Sequence, residues 1–555
     1  MEKIWLENYP PDVPAEIPVN PDENLVTMLE HSFRSYRDRP SFSCMGRTLS
    51  YGQIDEMSAA FGAWLQKESG LAPGARVAIM LPNVLQYPVA LFGALRAGMV
   101  VVNVNPLYTP RELEHQLKDS QAEAIVVLEN FAATLEKVIR ETPVKRVIVT
   151  GMGDLLGGPR SMVVNFVVRR LKKLVPPYSL PGHQRLADVL QAGGGMELSP
   201  FHPRHEDVAF LQYTGGTTGP SKGAMLTQGS VYANVLQMAA LIDPYIRQGE
   251  EIVITALPLY HIYALVVNCM CFVRIGGHNV LITNPRDLQG FIKELSRWDF
   301  TAFFGVNTLY NSLLHEPGFS RLDFSHLKLA GGGGMAIQSA VATRWHELTG
   351  QLLQEGYGLT ECSPVVCFNL KSQKEVYTGS VGVPVPSTEI SIRDESGQEV
   401  PIGESGELCV RGPQVMKGYW GREDATAEVF YPDGFLRTGD IATVDEKGYV
   451  RIVDRAKDMI LVSGFNVYPC EVEDVVTRHP GVLEAACIGI PDERSGERVK
   501  IFVVPKPGKT ATAEDIVAYC REHLTGYKVP REVEFRDELP KTNVGKILRR
   551  ALRES

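Results

Sequence analysis

Paired cysteines, excess positive charge, sustained apolar runs and internal repeats are all scarce in this sequence, and each scarcity removes a class of protein. The nine cysteines, at positions 44, 269, 271, 362, 367, 409, 470, 487 and 520, are odd in number and include no pair of Cys-x-x-Cys units. A disulfide scaffold or structural zinc site is not expected, and reduced thiols are the default. The formal charge is −9, without the basic domain that nucleic-acid binding requires. The start Met1-Glu2-Lys3-Ile4-Trp5, followed by Pro10-Pro11, lacks the basic, apolar and small-residue zones of a signal peptide, so a cytoplasmic location is expected. Residues 252–273 are long and apolar enough to tempt a membrane assignment, but Pro258, His261 and Asn268 interrupt them. We read that stretch as a buried strand, a site loop and a core helix.

What is present is an ordinary globular composition, 44% apolar and 22% charged over 555 residues. That excludes wholesale disorder and predicts two to four domains at about 150 residues each. Apolar runs such as Arg76-Val77-Ala78-Ile79-Met80, Val100-Val101-Val102 and Ala124-Ile125-Val126-Val127-Leu128 alternate with helical patterns, the rhythm of α/β layers around largely parallel sheet. Near Ser380 the texture changes to short alternating strands, predicting a small β-barrel-like subdomain. After Asp454 a compact α+β unit follows. The expected division is a composite N-terminal domain over residues 1–456 and a small C-terminal domain over 457–555.

The most informative segment is Tyr213-Thr214-Gly215-Gly216-Thr217-Thr218-Gly219-Pro220-Ser221-Lys222-Gly223, directly after the apolar run Val208-Ala209-Phe210-Leu211. Glycines allow backbone N–H groups to approach closely, threonines add hydroxyls, and lysine adds a cation, the groups a polyphosphate needs. A Walker A loop would place Ser or Thr after the lysine; here Gly223 follows it, so the kinase and GTPase pattern fails.

With four further motifs the chain resembles the adenylate-forming superfamily of acyl-CoA synthetases, luciferases and peptide-synthetase adenylation domains. Tyr357-Gly358-Leu359-Thr360-Glu361, Thr438-Gly439-Asp440, Asp454-Arg455-Ala456-Lys457-Asp458 and Pro540-Lys541-Thr542-Asn543-Val544-Gly545-Lys546 occur in family order. The stretch from Asp433-Gly434-Phe435 to Lys457 is most similar to the signature of long-chain fatty acyl-CoA synthetases. The amino-terminal half, with Leu81-Pro82-Asn83 and Asn105-Pro106-Leu107-Tyr108, resembles the bacterial enzymes of fatty-acid uptake and β-oxidation. The resemblance implies a two-step reaction using ATP, Mg²⁺, a long-chain fatty acid and coenzyme A, through acyl-AMP. An aryl-CoA ligase, or an enzyme loading a separate carrier protein, is the alternative.

Carried over residue by residue, the resemblance makes Lys546, His261 and Glu361 the catalytic candidates. Lys546 would stabilise the adenylation transition state, and His261 would position the carboxylate. Glu361, with Thr214, would hold Mg²⁺. Nucleotide contacts are expected from Tyr213, Thr214, Gly215, Gly216, Thr217, Thr218, Gly219 and Lys222. Further nucleotide contacts are expected from Gly332, Gly333, Gly334, Gly356, Tyr357, Gly358, Thr360, Asp440, Ile452 and Arg455. Lys457 would be a hinge, and Ser463, Gly464 and Phe465 would line a coenzyme A channel. Residues 231–241 and 304–309 are expected to wall the acyl tunnel.

Residues 162–175 place Val163, Val167, Leu171 and Leu174 at helical spacing with Arg169, Arg170, Lys172 and Lys173. Such a basic amphipathic segment fits peripheral contact with anionic membrane, and it fits packing on its own domain equally well. A homodimer is compatible with the sequence, which does not determine assembly.

Overall fold

The computed structural model describes residues 1–214, 221–463, 465–492, 494–509, 511–542 and 545–553. Two largely parallel sheets organise the N-terminal three-quarters. The first has seven strands in the order Gln184–Arg185, Arg146–Thr150, Ala124–Leu128, Arg76–Met80, Val100–Asn103, Val208–Thr214, Lys222–Thr227. Only the last pair is antiparallel. The second has nine strands, and its parallel heart runs Gln354–Gly358, Leu329–Gly332, Ala302–Gly305, Ile252–Thr255, His278–Leu281, Pro40–Cys44. Antiparallel strands finish both of its edges.

Helices pack on the apolar faces. Tyr51–Lys67 begins at a Ser50 capping box and packs on Gln86–Arg96, every residue of which is buried. Gln228–Ile242 begins at a Thr227 capping box and is likewise mostly buried. These caps satisfy helix N–H groups that would otherwise be orphaned. The stretch 252–273 divides as expected, into the strand Ile252–Thr255, a loop, and the helical turns Ala264–Met270 and Cys271–Arg274, buried except for Arg274. Among the described residues no helix is long and apolar enough to cross a membrane.

The small β unit is a four-stranded antiparallel sheet, Glu389–Arg393, Gly406–Arg411, Leu436–Val444, Val450–Arg455. A separate sheet follows, built on the long pair Val482–Asp492 and Gly496–Pro505 with Ile460–Val462, Phe465–Val467 and Glu532–Phe535. Lys457 lies between the strand ending at Arg455 and the strand starting at Ile460.

Arg549 ties this linker to the chain's last turn. It is bidentate to Glu473 at 2.9 and 3.0 Å and reaches Asp454 at 3.1 Å and Asp458 at 3.3 Å. Burial opposes the Arg549 charge, but Glu473 overrides it and holds the proton firmly. The arginine that could have belonged to a solvated tail is instead an internal brace.

The basic segment departs from its expected phase. An α-helix, Gly158–Phe166, runs into a π-helical turn, Val167–Leu171, and the wider turn shifts the periodicity. Met162, Val163, Phe166, Leu171 and Leu174 face solvent, 52 to 75% exposed, while Val168 is buried. Arg169 points inward onto the buried Glu129 at 2.8 Å, so it is no part of the basic rim.

Candidate active site

In a parallel sheet all the carboxyl ends share one edge, and the loops leaving them converge there. The strands Ile252–Thr255, Leu329–Gly332 and Gln354–Gly358 deliver three such loops. They form a cavity walled by His261, Tyr263, Gly333, Gly334, Gly356, Tyr357, Gly358, Leu359 and Thr360. The lining also includes the apolar residues Met238, Val267, Pro364, Val365 and Phe368. Met238 comes from the expected tunnel helix, whereas no residue of 304–309 lines this cavity. Lys546 enters from the C-terminal unit and completes the lining.

Burial lowers Lys546 to about 8, with the Arg455 charge next in effect; Asp440 and Glu361 oppose both. The amine is therefore mostly an ammonium at neutral pH and comes under the charges of three other candidates. Gly334 makes room for it. Its φ of +77° suits glycine, and a Cβ there would meet Lys546 Cε at 3.4 Å. Gly332 lies inside the strand Leu329–Gly332, one step before the two glycines that line the cavity.

Tyr357 and Asp440 form one unit. The tyrosine hydroxyl donates to Asp440 Oδ2 at 2.5 Å, and Arg455 Nε lies 3.4 Å from Oδ1. Burial pushes the Asp440 carboxyl up, while Arg455 and the Tyr357 hydroxyl pull it back. Such a carboxylate, oriented by a partner at each oxygen, keeps lone pairs that can accept a sugar hydroxyl beside the flat Tyr357 ring. Ile452 is half-buried on the adjacent strand, opposite Ala442.

His261 is neutral at any physiological pH. Burial, followed by the Lys546 charge, lowers it to about 3. Its Nδ1 accepts the Tyr263 N–H at 3.3 Å, leaving Nε2 as the donor. A neutral donor can orient a carboxylate without taking its proton. The loop bearing His261 is fixed by a buried polar network that the sequence did not single out. Asn83 donates to the Thr255 and Leu257 carbonyls and accepts the Leu259 N–H, each at 2.9 Å. Tyr87 donates to the Leu259 carbonyl and Gln212 to the Tyr260 carbonyl, both at 2.7 Å.

Glu361 stands in the turn Thr360–Cys362, which packs against the end of the strand carrying Thr214. Tyr419, also missed in the sequence, donates its hydroxyl to Glu361 Oε1 at 2.7 Å and places its ring 5.2 Å from Lys222 Nζ. Tyr419 thus contacts both the Glu361 carboxylate and the Lys222 ammonium. The only local signal was an aromatic pair flanked by glycines, Gly418-Tyr419-Trp420-Gly421. One oriented carboxylate plus a hydroxyl suits Mg²⁺, which takes one or two carboxylates and fills its shell with water and phosphate. Among the described residues no cluster of three or more His, Cys, Asp or Glu offers an all-protein metal cage.

Tyr213 spends its hydroxyl on Asp119 at 2.7 Å, and Thr214 pairs with Lys222 across the hairpin. Gly215, Gly216, Thr217, Thr218 and Gly219 lie outside the described residues, as does Gly464. Ser463 donates its N–H to the Ser495 carbonyl at 2.7 Å, and Phe465, 57% exposed, stacks on Tyr527. Both stand outside the cavity that Lys546 enters.

Comparison with known proteins gives the class in which this geometry sits, the AMP-binding, adenylate-forming enzymes. The chain belongs to that family: the AMP-binding enzyme signature matches residues 29–420, and the AMP-binding enzyme C-terminal domain matches residues 471–546. Its full-length relatives include the long-chain-fatty-acid–CoA ligases of Salmonella typhimurium and Escherichia coli O6:H1, 57% and 58% identical over all of this chain and 98% of theirs. A feruloyl-CoA synthase from an Amycolatopsis species is 35% identical over 92% of this chain and 94% of its own. Among solved structures, an anthranilate CoA ligase in complex with anthranoyl-AMP superposes with a TM-score of 0.85, at 26% identity, over 97% of this chain and 98% of its own.

Proposed function

We propose that the protein is an ATP-dependent long-chain fatty acid–CoA ligase working through acyl-AMP. The carboxylate oxygen attacks the α-phosphorus of ATP and pyrophosphate leaves; the thiol sulfur of coenzyme A then attacks the acyl carbon and AMP leaves. The observation that carries this reading is the Lys546 ammonium, delivered on a separate structural unit into a cavity with His261 on one wall and Tyr357 on another. Two anions meet in the first step, so fixed positive charge and positioning are the chemistry required. Lys546 neutralises the charge that builds up, the His261 Nε2 donor orients the acid, and Asp440 with Tyr357 seats the nucleoside. Glu361 and Thr214 would hold Mg²⁺, which supplies charge neutralisation on the polyphosphate when bound.

The apolar lining from Met238, Val267, Val365 and Phe368 supports an aliphatic acid, since each buried methylene contributes about 0.8 kcal/mol. Lys457, in the linker between two sheets, serves as the hinge about which residues 457–555 turn between the two steps. That turn brings Ser463 and Phe465 to the coenzyme A thiol. The deciding experiment is pyrophosphate release with acids of graded length, and with an aromatic acid, in the presence and absence of coenzyme A. Release that rises with chain length supports the reading. Release with the aromatic acid alone moves the assignment to an aryl-CoA ligase.

The exposed patch of Met162, Val163, Phe166, Leu171 and Leu174 favours a second property, peripheral docking on anionic bilayer from the cytoplasmic side. Arg170, Lys172 and Lys173 rim it and are exposed, so apolar insertion and charge attraction act together. Cosedimentation with vesicles containing phosphatidylglycerol tests it. The F166D/L171D variant, with intact ligase activity, should lose binding; undiminished binding refutes this surface.

A further inference from the structure

The catalytic lysine is brought to its cavity by contacts on one face of the helix Asn307–His315. Thr308 and Asn311, one turn apart and therefore neighbours on that face, both meet the C-terminal unit. Thr308 Oγ1 donates to the carbonyl of Gly545, the residue before Lys546, at 3.1 Å, and Asn311 Nδ2 donates to the Leu483 carbonyl at 3.1 Å. Each is only 8% exposed. Gly545 has φ +85°, and a Cβ on it would lie 2.7 Å from Thr308 Oγ1, so the loop tip is pressed directly on the threonine.

The described residues on either side of the Gly545 contact are themselves paired. The Lys546 N–H donates to Thr542 Oγ1 at 3.0 Å, the Thr542 N–H donates to the Lys546 carbonyl at 2.6 Å, and Lys541 bridges Ile547. Lys541 also pairs with Glu484 at 2.6 Å, which anchors the loop base to the strand whose Leu483 receives Asn311. The lysine is thus held at the loop tip by Thr308 and at the loop base through Asn311.

We propose that Thr308 and Asn311 are positioning residues: a seat that sets Lys546 for adenylate formation and takes no part in thioester formation. The inference rests on the functional reading above, in which Lys546 serves the first step. It assigns Thr308, expected in the sequence to wall the acyl tunnel, to the docking of the C-terminal unit.

The test compares half-reactions in the full-length T308V, T308S and N311A variants. Acyl-AMP formation is followed by rapid quench without coenzyme A, and thioester formation is started from synthetic acyl-adenylate. Loss of one hydrogen bond in the seat should slow adenylation about three- to tenfold in T308V and N311A, with the thioester step within about twofold of the parent. T308S, which keeps the hydroxyl, should restore adenylation. Unchanged adenylation in both T308V and N311A, or an equal fall in both half-reactions, overturns the seat. N311A carries the test should T308V fold poorly. Parent enzyme that makes no acyl-AMP refutes the functional reading instead, so the two failures are distinct.

Discussion

Asn83 does not line the cavity that Lys546 enters, yet its removal should be felt in the fold and in the acid site. Its amide satisfies three backbone groups around the His261 loop: the Thr255 and Leu257 carbonyls and the Leu259 N–H. The residue is 3% exposed, so N83A leaves all three without that partner where water enters poorly. The Thr255 carbonyl keeps the Ile282 N–H at 3.0 Å, so two groups are orphaned. At about 1–3 kcal/mol per unsatisfied buried group, with partial relaxation, the loss is about 2–4 kcal/mol. Urea unfolding reads the stability term. Because the freed loop carries His261, kcat/KM for the fatty acid should fall while the KM for ATP moves less than about twofold. N83D should be at least as damaging, because it turns a carboxylate oxygen toward two carbonyls and buries a charge. A stability loss below about 0.5 kcal/mol with parental kinetics in N83A would refute the reasoning.

Lys546 is held down to about 8 in the free enzyme, so kcat/KM for acyl-AMP formation should fall as pH rises through about 8, where the ammonium is lost. The same profile should show no inflection from His261 between about pH 5 and 8, because burial keeps that ring neutral throughout; a histidine step there would contradict its assigned role. Y419F should raise the magnesium concentration for half-maximal pyrophosphate release by about tenfold, since Glu361 loses a hydrogen bond to its carboxylate. An unchanged magnesium titration would show that Tyr419 does not orient Glu361. K457P should impair progression from acyl-AMP to thioester by restricting backbone rotation in the linker; two unaltered half-reactions would remove the hinge.

The parts of the site that could be read from the sequence are those whose chemistry is contiguous. The buried parallel strands announce themselves as unbroken apolar runs, and the glycines next to Tyr357 stand beside it in the sequence as they do in the cavity. The supporting polar residues are legible only in three dimensions. Asn103 and Gln212, whose amides meet at 3.0 Å, are 109 positions apart, and each looks like one polar residue in an apolar strand. Tyr419 shares that obscurity, since it matters only through Glu361, 58 positions away. The helical spacing of residues 162–175 misled for a geometric reason: a π turn is invisible to a 3.6-residue period, so Phe166 replaced Val167 on the exposed face. Arg549 was hidden by its neighbours, since a basic C-terminal run looks like a solvated tail until Glu473, Asp454 and Asp458 are seen around it.

A cation about 4 Å from the reacting phosphate is worth roughly 4 kcal/mol at an effective dielectric near 20, or about three decades of rate. The most direct measurement is therefore single-turnover acyl-AMP formation by K546A, beside thioester formation from supplied acyl-adenylate. The account predicts that the first rate drops by about a thousandfold while the second persists. Formation of acyl-AMP by K546A at the parental rate would contradict it.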